Sequence, residues 1–137
     1  MSWSSRLRKT VIPETNAISG TFLPNPRTGN PLLLLVSDTG KVRVHEDPDS
    51  GSKKWITILD LGEHICTNGE RGLQNAVIHP DFEENHYVYL FYTKFKEGCL
   101  NDVTKSKDLH PYNVVARFTM DPDSLMLDFD TREEIWR

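Results

Sequence analysis

The sequence predicts an all-β fold, two four-stranded antiparallel blades of an incomplete β-propeller, and three observations carry that prediction. Short apolar runs separated by Gly, Pro, Asp and Asn turn signals recur along most of the chain. The second half repeats the first strand by strand, at a spacing of roughly 50 residues. No stretch shows the periodicity of a convincing amphipathic helix. A small β-sandwich would use the same strands, but it does not require the two copies to match element by element, so the propeller is the better account.

In chain order, residues 1–15 read as a loosely structured leader. Leu32 to Val36 follows Gly29, Asn30 and Pro31 and is apolar at every position, which suits a strand buried on both faces. Ser37 to Lys41 is a compact turn, and Val42, Arg43, Val44 and His45 alternate as a half-exposed partner strand, making a hairpin. Asp47, Pro48, Asp49, Ser50 and Gly51 form a second turn, and Trp55 to Leu59 is the next strand. Phe22 to Pro26 is then matched by Ile78 to Phe82 at an offset of 56 residues. Leu32 to Val36 corresponds to Tyr87 to Phe91, Val42 to His45 to Val115 to Phe118, and the Asp47 turn to Asp121 to Ser124. Trp55 to Leu59 corresponds to the acidic region around Glu133 to Trp136, which by itself reads as strand or helix. The first blade is placed at about 16–62 and the second at about 69–137, with an insertion from Lys96 to Tyr112. That insertion is long for a link between strands, as a binding loop or a disordered one would be.

Composition narrows the function. A length of 137 residues suffices for one core. A net charge of −4 argues against nucleic acid as a partner, because phosphate neutralisation needs a basic surface. No apolar run is long enough to span a membrane as a helix. The basic start, MSWSSRLRKT, is not followed by the apolar segment of a secretory signal. Cys66 and Cys99 are too few for a disulfide framework and lack metal-site spacing; one bridge or two free thiols are both open.

The most informative stretch runs from Asn68 to Tyr92. Gly69, Glu70, Arg71 and Gly72 place two charged groups between two glycines, where the backbone can approach a ligand closely. His79 stands between an apolar strand and Pro80 and reads as a turn-stabilising imidazole, since no carboxylate or nucleophile lies at a spacing that suggests a catalytic pair. His45, His64, His86 and His110 form no metal pattern. Asp121, Asp123, Asp128 and Asp130 lack the central glycine of a calcium loop and read as a solvated turn. Tyr87, Tyr89 and Tyr92 read as blade packing.

Glu70-Arg71-Gly72-Leu73, then His79-Pro80-Asp81-Phe82, the Asn85 turn and Tyr87-Val88-Tyr89 together resemble the early signature of the glucose/sorbosone dehydrogenase family. That family comprises soluble quinoprotein sugar dehydrogenases and hedgehog-interacting-protein-like propellers, and the resemblance covers about Asn16 to Arg137. It implies a six-bladed propeller that binds pyrroloquinoline quinone and calcium in a central cleft and oxidises an aldose at its C1 hydroxyl. A histidine takes the hydroxyl proton in such enzymes while hydride passes to the quinone. Glu70 and Arg71 are the implied cofactor-binding rim, with Glu70 standing where quinoprotein members carry a glutamine. A carboxylate accepts hydrogen bonds but cannot donate as an amide does. No catalytic residue and no metal ligand of the implied site is expected within this chain, so it reads as an inactive N-terminal portion. The alternative implied by the hedgehog-interacting relatives is a non-catalytic module that binds a protein or glycan. Relatives are mostly exported, which implies a secreted or periplasmic protein whose gene start has been lost or misassigned. Two blades alone would leave apolar faces uncovered and so self-associate; three copies closing one ring would cover every face, and a clean monomer in light scattering would exclude that ring. The resemblance also predicts that the gene beyond Arg137 encodes a histidine followed closely by glycines within about two dozen codons, which genomic sequencing checks; a frame lacking it would contradict the implied enzyme.

Overall fold

A computed structural model describes residues 17–99 and 109–137. The leader expected over 1–15 and the middle of the expected insertion lie outside the described residues. The first sheet takes its strands in sequence order: β1 (Ala17–Pro24), β2 (Pro31–Ser37), β3 (Lys41–His45) and β4 (Ile56–Asp60), all antiparallel. The second repeats the plan with β5 (Leu73–Ile78), β6 (Tyr87–Lys94), β7 (Tyr112–Met120) and β8 (Leu127–Trp136). The chain is therefore all-β, two four-stranded antiparallel propeller blades. The acidic end from Thr131 to Trp136 is strand throughout. A single helical turn, Phe82–Asn85, interrupts the second blade between β5 and β6.

Turn chemistry explains where the strands stop. Gly40, at φ +102, closes the β2–β3 hairpin, and its N–H donates to the Ser37 carbonyl at 3.0 Å. Between β1 and β2, the Asn25 side chain accepts from the Arg27 backbone N–H at 2.9 Å and donates to Glu46 at 3.0 Å. Arg27 also pairs with Glu46 and donates to the Asp123 carbonyl at 3.4 Å, so one turn of the first blade is tied to a turn of the second. Asp121 plays the equivalent part after β7: its Oδ1 accepts from the N–H groups of Asp123 and Ser124. The acidic residues here make a self-satisfied turn, as the sequence suggests.

The two sheets share one continuous core. Register places Leu34 opposite Val44 and Val36 opposite Val42 in the first sheet, and Val88 opposite Phe118 and Leu90 opposite Ala116 in the second. All of these are buried. The strand expected to be buried on both faces, Leu32 to Val36, instead alternates: Leu32, Leu34 and Val36 are buried whereas Leu33 and Leu35 are half-buried. β6 does the same, with Tyr87, Tyr89 and Phe91 half-buried between Val88, Leu90 and Tyr92. Among the described residues, each sheet has one face against the other sheet and one face without a sheet on it. Phe22 at 63% exposure, Val77 at 56% and Trp136 at 59% mark those outward faces.

His45 corrects the half-exposed reading of its strand. It is buried, its Nδ1 accepts from the Asp47 N–H at 3.0 Å, and its Nε2 lies 2.6 Å from the Ser52 carbonyl. The ring therefore pins the turn after β3 from the inside. Its polarity hid this role, because a fully hydrogen-bonded histidine costs little to bury.

Two stability predictions follow from these contacts. A Cβ at Gly72 would lie 2.4 Å from the Asp38 carbonyl oxygen, and the residue sits at φ +139. Gly72→Ala should therefore lose about 2 kcal/mol or more in chemical denaturation. Gly69→Ala, where nothing lies within 4 Å, should lose only the smaller cost of its left-handed backbone. For Glu46, hydrogen bonds from Asn25 and then Arg27 hold the carboxyl below its usual range. A depressed folded-state pKa gives a stabilisation that is present above the unfolded carboxylate pKa, about 4.3, and lost as pH falls through the folded value. Glu46→Gln should flatten the acid limb of the melting-temperature profile below about pH 4 while changing the neutral region less.

Candidate functional site

Antiparallel pairing brings three chain segments together at one end of the second sheet. Leu73 opens β5 opposite Tyr92, near the end of β6, and Lys94 faces Tyr112 at the start of β7. The loop from Asn68 to Gly72 enters this end directly. Gly69 at φ +70 and Gly72 at φ +139 turn the chain, and the Arg71 N–H closes the loop on the Asn68 carbonyl at 3.4 Å. Because Gly72 has no side chain, Leu73 N–H reaches the Asp38 carbonyl of the first blade at 3.2 Å, and the Gly72 carbonyl accepts from Thr93 N–H at 3.0 Å.

An open cleft of about 490 Å³ lies at this end. Glu70, Arg71 and Gln74 line it from the β5 side, and Phe91, Tyr112 and Asn113 line it from β6 and β7. The Gln74 amide donates to the Glu70 carbonyl at 2.9 Å, and Thr93 Oγ1 donates to Asn113 Oδ1 at 2.9 Å. Glu70 and Arg71 are both exposed. The structure thus brings both sequence-predicted rim residues to one cleft.

A covalent tie holds the rim. Cys66 and Cys99 form a disulfide, which resolves the alternative that the sequence leaves open. Both cysteines are buried. Around the bridge, Cys66 N–H donates to the Thr93 carbonyl at 2.8 Å, Phe95 N–H to the His64 carbonyl at 2.8 Å, and the Asn68 amide to the Cys99 carbonyl at 3.4 Å. Arg71 Nη1 lies 3.7 Å from Cys66 Sγ. The segment before the rim loop is therefore fastened to the end of β6, and Arg71 packs against the bridge.

Three cations gather around the Tyr112 ring. Lys94 Nζ, Lys96 Nζ and the Arg137 guanidinium each lie 5.7 Å from its ring centroid. Burial pushes the Tyr112 phenol up, yet hydrogen bonds with Arg137 and Lys94 outweigh it and leave the pKa lowered. Lys94 is raised, chiefly by its hydrogen bond with Glu134. Tyr92 behind it is buried and its pKa is raised mainly by that burial, with Arg132 and Lys94 acting against the rise.

The other candidates lie elsewhere. His79 Nδ1 accepts from the Asp81 N–H at 3.0 Å and lies 2.9 Å from the Asn85 amide, so it organises its own turn. His86 lines a smaller cavity of about 180 Å³ with Pro24, Asn25 and Phe82, at the opposite end of the strands. Among the described residues no three His, Cys, Asp or Glu side chains are grouped to hold a metal ion. Among the described residues no helix is long and apolar enough to cross a membrane. Sequence reasoning missed Phe91, Tyr112 and Asn113 as cleft residues. Pairing of Lys94 with Tyr112 creates their proximity across the insertion, and only the position of Tyr112 at the start of a β-run hints at it.

The disulfide links residues 33 apart in sequence, so chain-entropy arguments assign its removal a loss of about 3–4 kcal/mol. Cys66→Ala with Cys99→Ala should show that loss in denaturation, and limited proteolysis should cut near residue 99 faster than in the wild type. Unchanged stability and cleavage would show that the loop needs no covalent tie.

Comparison with known proteins matches this architecture. Residues 17–137 match the family described as Glucose / Sorbosone dehydrogenase. The chain is 33% identical over 91 residues to quinoprotein glucose dehydrogenase B from Acinetobacter calcoaceticus, covering 66% of this chain and 17% of that protein. Its fold is similar to that of the soluble aldose sugar dehydrogenase of Escherichia coli, with a TM-score of 0.58 at 19% identity over 85% of this chain and 28% of that one. The PQQ-bound aldose sugar dehydrogenase of Streptomyces coelicolor gives a TM-score of 0.56 at 20% identity, over 94% of this chain and 34% of that one. The chain thus spans less than a fifth of the curated relative and about a third of the solved structures. None of these relatives supports the alternative of a hedgehog-interacting module. The match over all the described residues, the loop signature at the cleft and the paired blades make this chain a member of the glucose/sorbosone dehydrogenase family.

Proposed function

We propose that the complete protein oxidises an aldose at its C1 hydroxyl with pyrroloquinoline quinone as acceptor, and that this chain forms one wall of the cofactor cleft. The observation that carries the reading is the family match over residues 17–137, with the family's loop lying at the mouth of the cleft. When bound, the quinone accepts the hydride that leaves the sugar. In this reading the residues here orient and enclose the cofactor.

The fit of the rim to that cofactor is divided. Arg71 suits an acidic, planar guest, because a guanidinium offers paired donors to a carboxylate. Glu70 does not, since its carboxylate would face the guest's negative charge and cannot replace an amide donor. Calcium has no grouped ligands among the described residues. No catalytic step is therefore assigned to this chain. The division into blades at about 16–62 and 69–137 and a secreted or periplasmic location are part of the same reading. The location is supported by the buried Cys66–Cys99 bridge, which persists in an oxidising compartment.

The full-length protein, loaded with pyrroloquinoline quinone and calcium, should reduce a redox dye in the presence of glucose, and residues 1–137 alone should not. Glu70→Gln in the full-length protein should tighten quinone binding several-fold to about tenfold, as one restored donor would. An inactive loaded protein would overturn the enzyme reading, and a weaker-binding Gln variant would remove Glu70 from the cofactor rim.

A further inference from the structure

We propose that Asn68–Gly69, at the start of the rim loop, is a self-modifying site at which the Asn68 side-chain amide is lost to give aspartate and isoaspartate. Asn68 is the one asparagine of the sequence that is followed by glycine. Asparagine is a thermolabile residue, and a following glycine has no side chain to shield its backbone nitrogen from the amide. The fold leaves this pair open. Asn68 and Gly69 are both exposed, and no neighbouring group lies within 4 Å of where a Gly69 Cβ would stand. Among the described residues the Gly69 N–H donates to no acceptor, because the turn is closed by the Arg71 N–H on the Asn68 carbonyl instead. The Asn68 amide is held there only by the Cys99 carbonyl, at a long 3.4 Å. Asn75 marks the contrast: it lies within β5, alanine follows it, and its Oδ1 accepts from the Ser19 hydroxyl at 2.6 Å.

The chemistry needs only water. The Gly69 nitrogen gives up its proton to solvent and attacks the Asn68 side-chain carbonyl carbon, so that a carbon–nitrogen bond forms and ammonia leaves. Water then opens the cyclic imide. Opening at the side-chain carbonyl yields aspartate, and opening at the backbone carbonyl yields isoaspartate, whose main chain runs through the side-chain carbons. In sum, amide and water become carboxylate and ammonium, with no change of oxidation state. Either product undoes local contacts. A carboxylate cannot donate to the Cys99 carbonyl, so the polar tie between the rim loop and the disulfide segment is lost. Isoaspartate also lengthens the backbone inside the turn that Arg71 closes. The new negative charge stands on the loop that carries Glu70 and Arg71 into the cleft. Its effect on the ligand rests on the proposed function: there it repels the acidic quinone from the rim.

Incubating the chain in neutral buffer, then mapping its peptides by mass spectrometry and labelling isoaspartate with an isoaspartyl methyltransferase, tests the site. In the folded chain Asn68 should convert at least about tenfold faster than Asn75, and within about tenfold of its own rate in denaturant. Gly69→Ala should slow the conversion about tenfold, with circular dichroism confirming the fold. Cys66→Ala with Cys99→Ala should speed it toward the denatured rate, because the Cys99 carbonyl then no longer restrains the amide. An Asn68 that stays intact in the folded chain while it converts in denaturant would overturn the site, as would a folded Gly69→Ala chain that converts as fast as the wild type. In the full-length protein, Asn68→Asp should weaken quinone binding several-fold, and Asn68→Ser, which removes the amide without adding charge, should weaken it less. Quinone binding by Asn68→Asp equal to that of the wild type would overturn the stated effect on the cleft. Conversion of Asn68 in a full-length protein that proves inactive with pyrroloquinoline quinone would sustain the site and count only against the dehydrogenase reading.

Discussion

The contact on which the arrangement depends is the backbone hydrogen bond from Leu73 N–H to the Asp38 carbonyl, 3.2 Å long. It joins the β2–β3 turn of one blade to the first residue of the next blade's inner strand. Only a glycine at position 72 permits it, since any side chain there would occupy the space of the Asp38 carbonyl. That single approach sets two things at once. It fixes where β5 starts relative to the first sheet, and it brings the Glu70–Arg71 loop to the end of the cleft. The glycine that reads as a mark of ligand approach in the sequence is here first a mark of blade approach.

Burial and covalent chemistry then divide the work of holding the pair. Between the sheets, Leu34, Val36, Val42 and Val44 meet the Val88, Leu90 and Phe118 face in one core. At the opposite end from the cleft, Arg27 bridges Glu46 and the Asp123 carbonyl. At the cleft end, where polar loops offer little apolar area, the Cys66–Cys99 bridge takes that part. The outward faces, with Phe22, Val77 and Trp136, carry the apolar character of surfaces that neighbouring blades cover in a closed ring.

Much of this was legible in the sequence. Strand order, the duplicated plan and the proline and aspartate turns follow from local chemistry, and local chemistry is what a sequence displays. Leu32 to Val36 shows the limit: its composition speaks for two buried faces, yet Leu33 and Leu35 are only half covered, because burial depends on what packs outside the sheet. His45 shows the converse, a polar residue buried because the backbone around it supplies both partners. For the site, Glu70 and Arg71 were readable from their glycine bracket. Tyr112 was not, since its place opposite Lys94 is a matter of register across an insertion. The disulfide was equally hidden, because two cysteines reveal a possible pair but not the distance between them.

The central claim is that the Glu70–Arg71 loop is a wall of the cofactor cleft in the complete protein. A crystal structure of that protein with pyrroloquinoline quinone bound tests it most directly. The account predicts the quinone at the end of the second blade where Gly69 to Gly72 lie, with a cofactor carboxylate within hydrogen-bond reach of Arg71. A quinone seated away from this loop, with Arg71 still braced only against Cys66, would contradict it.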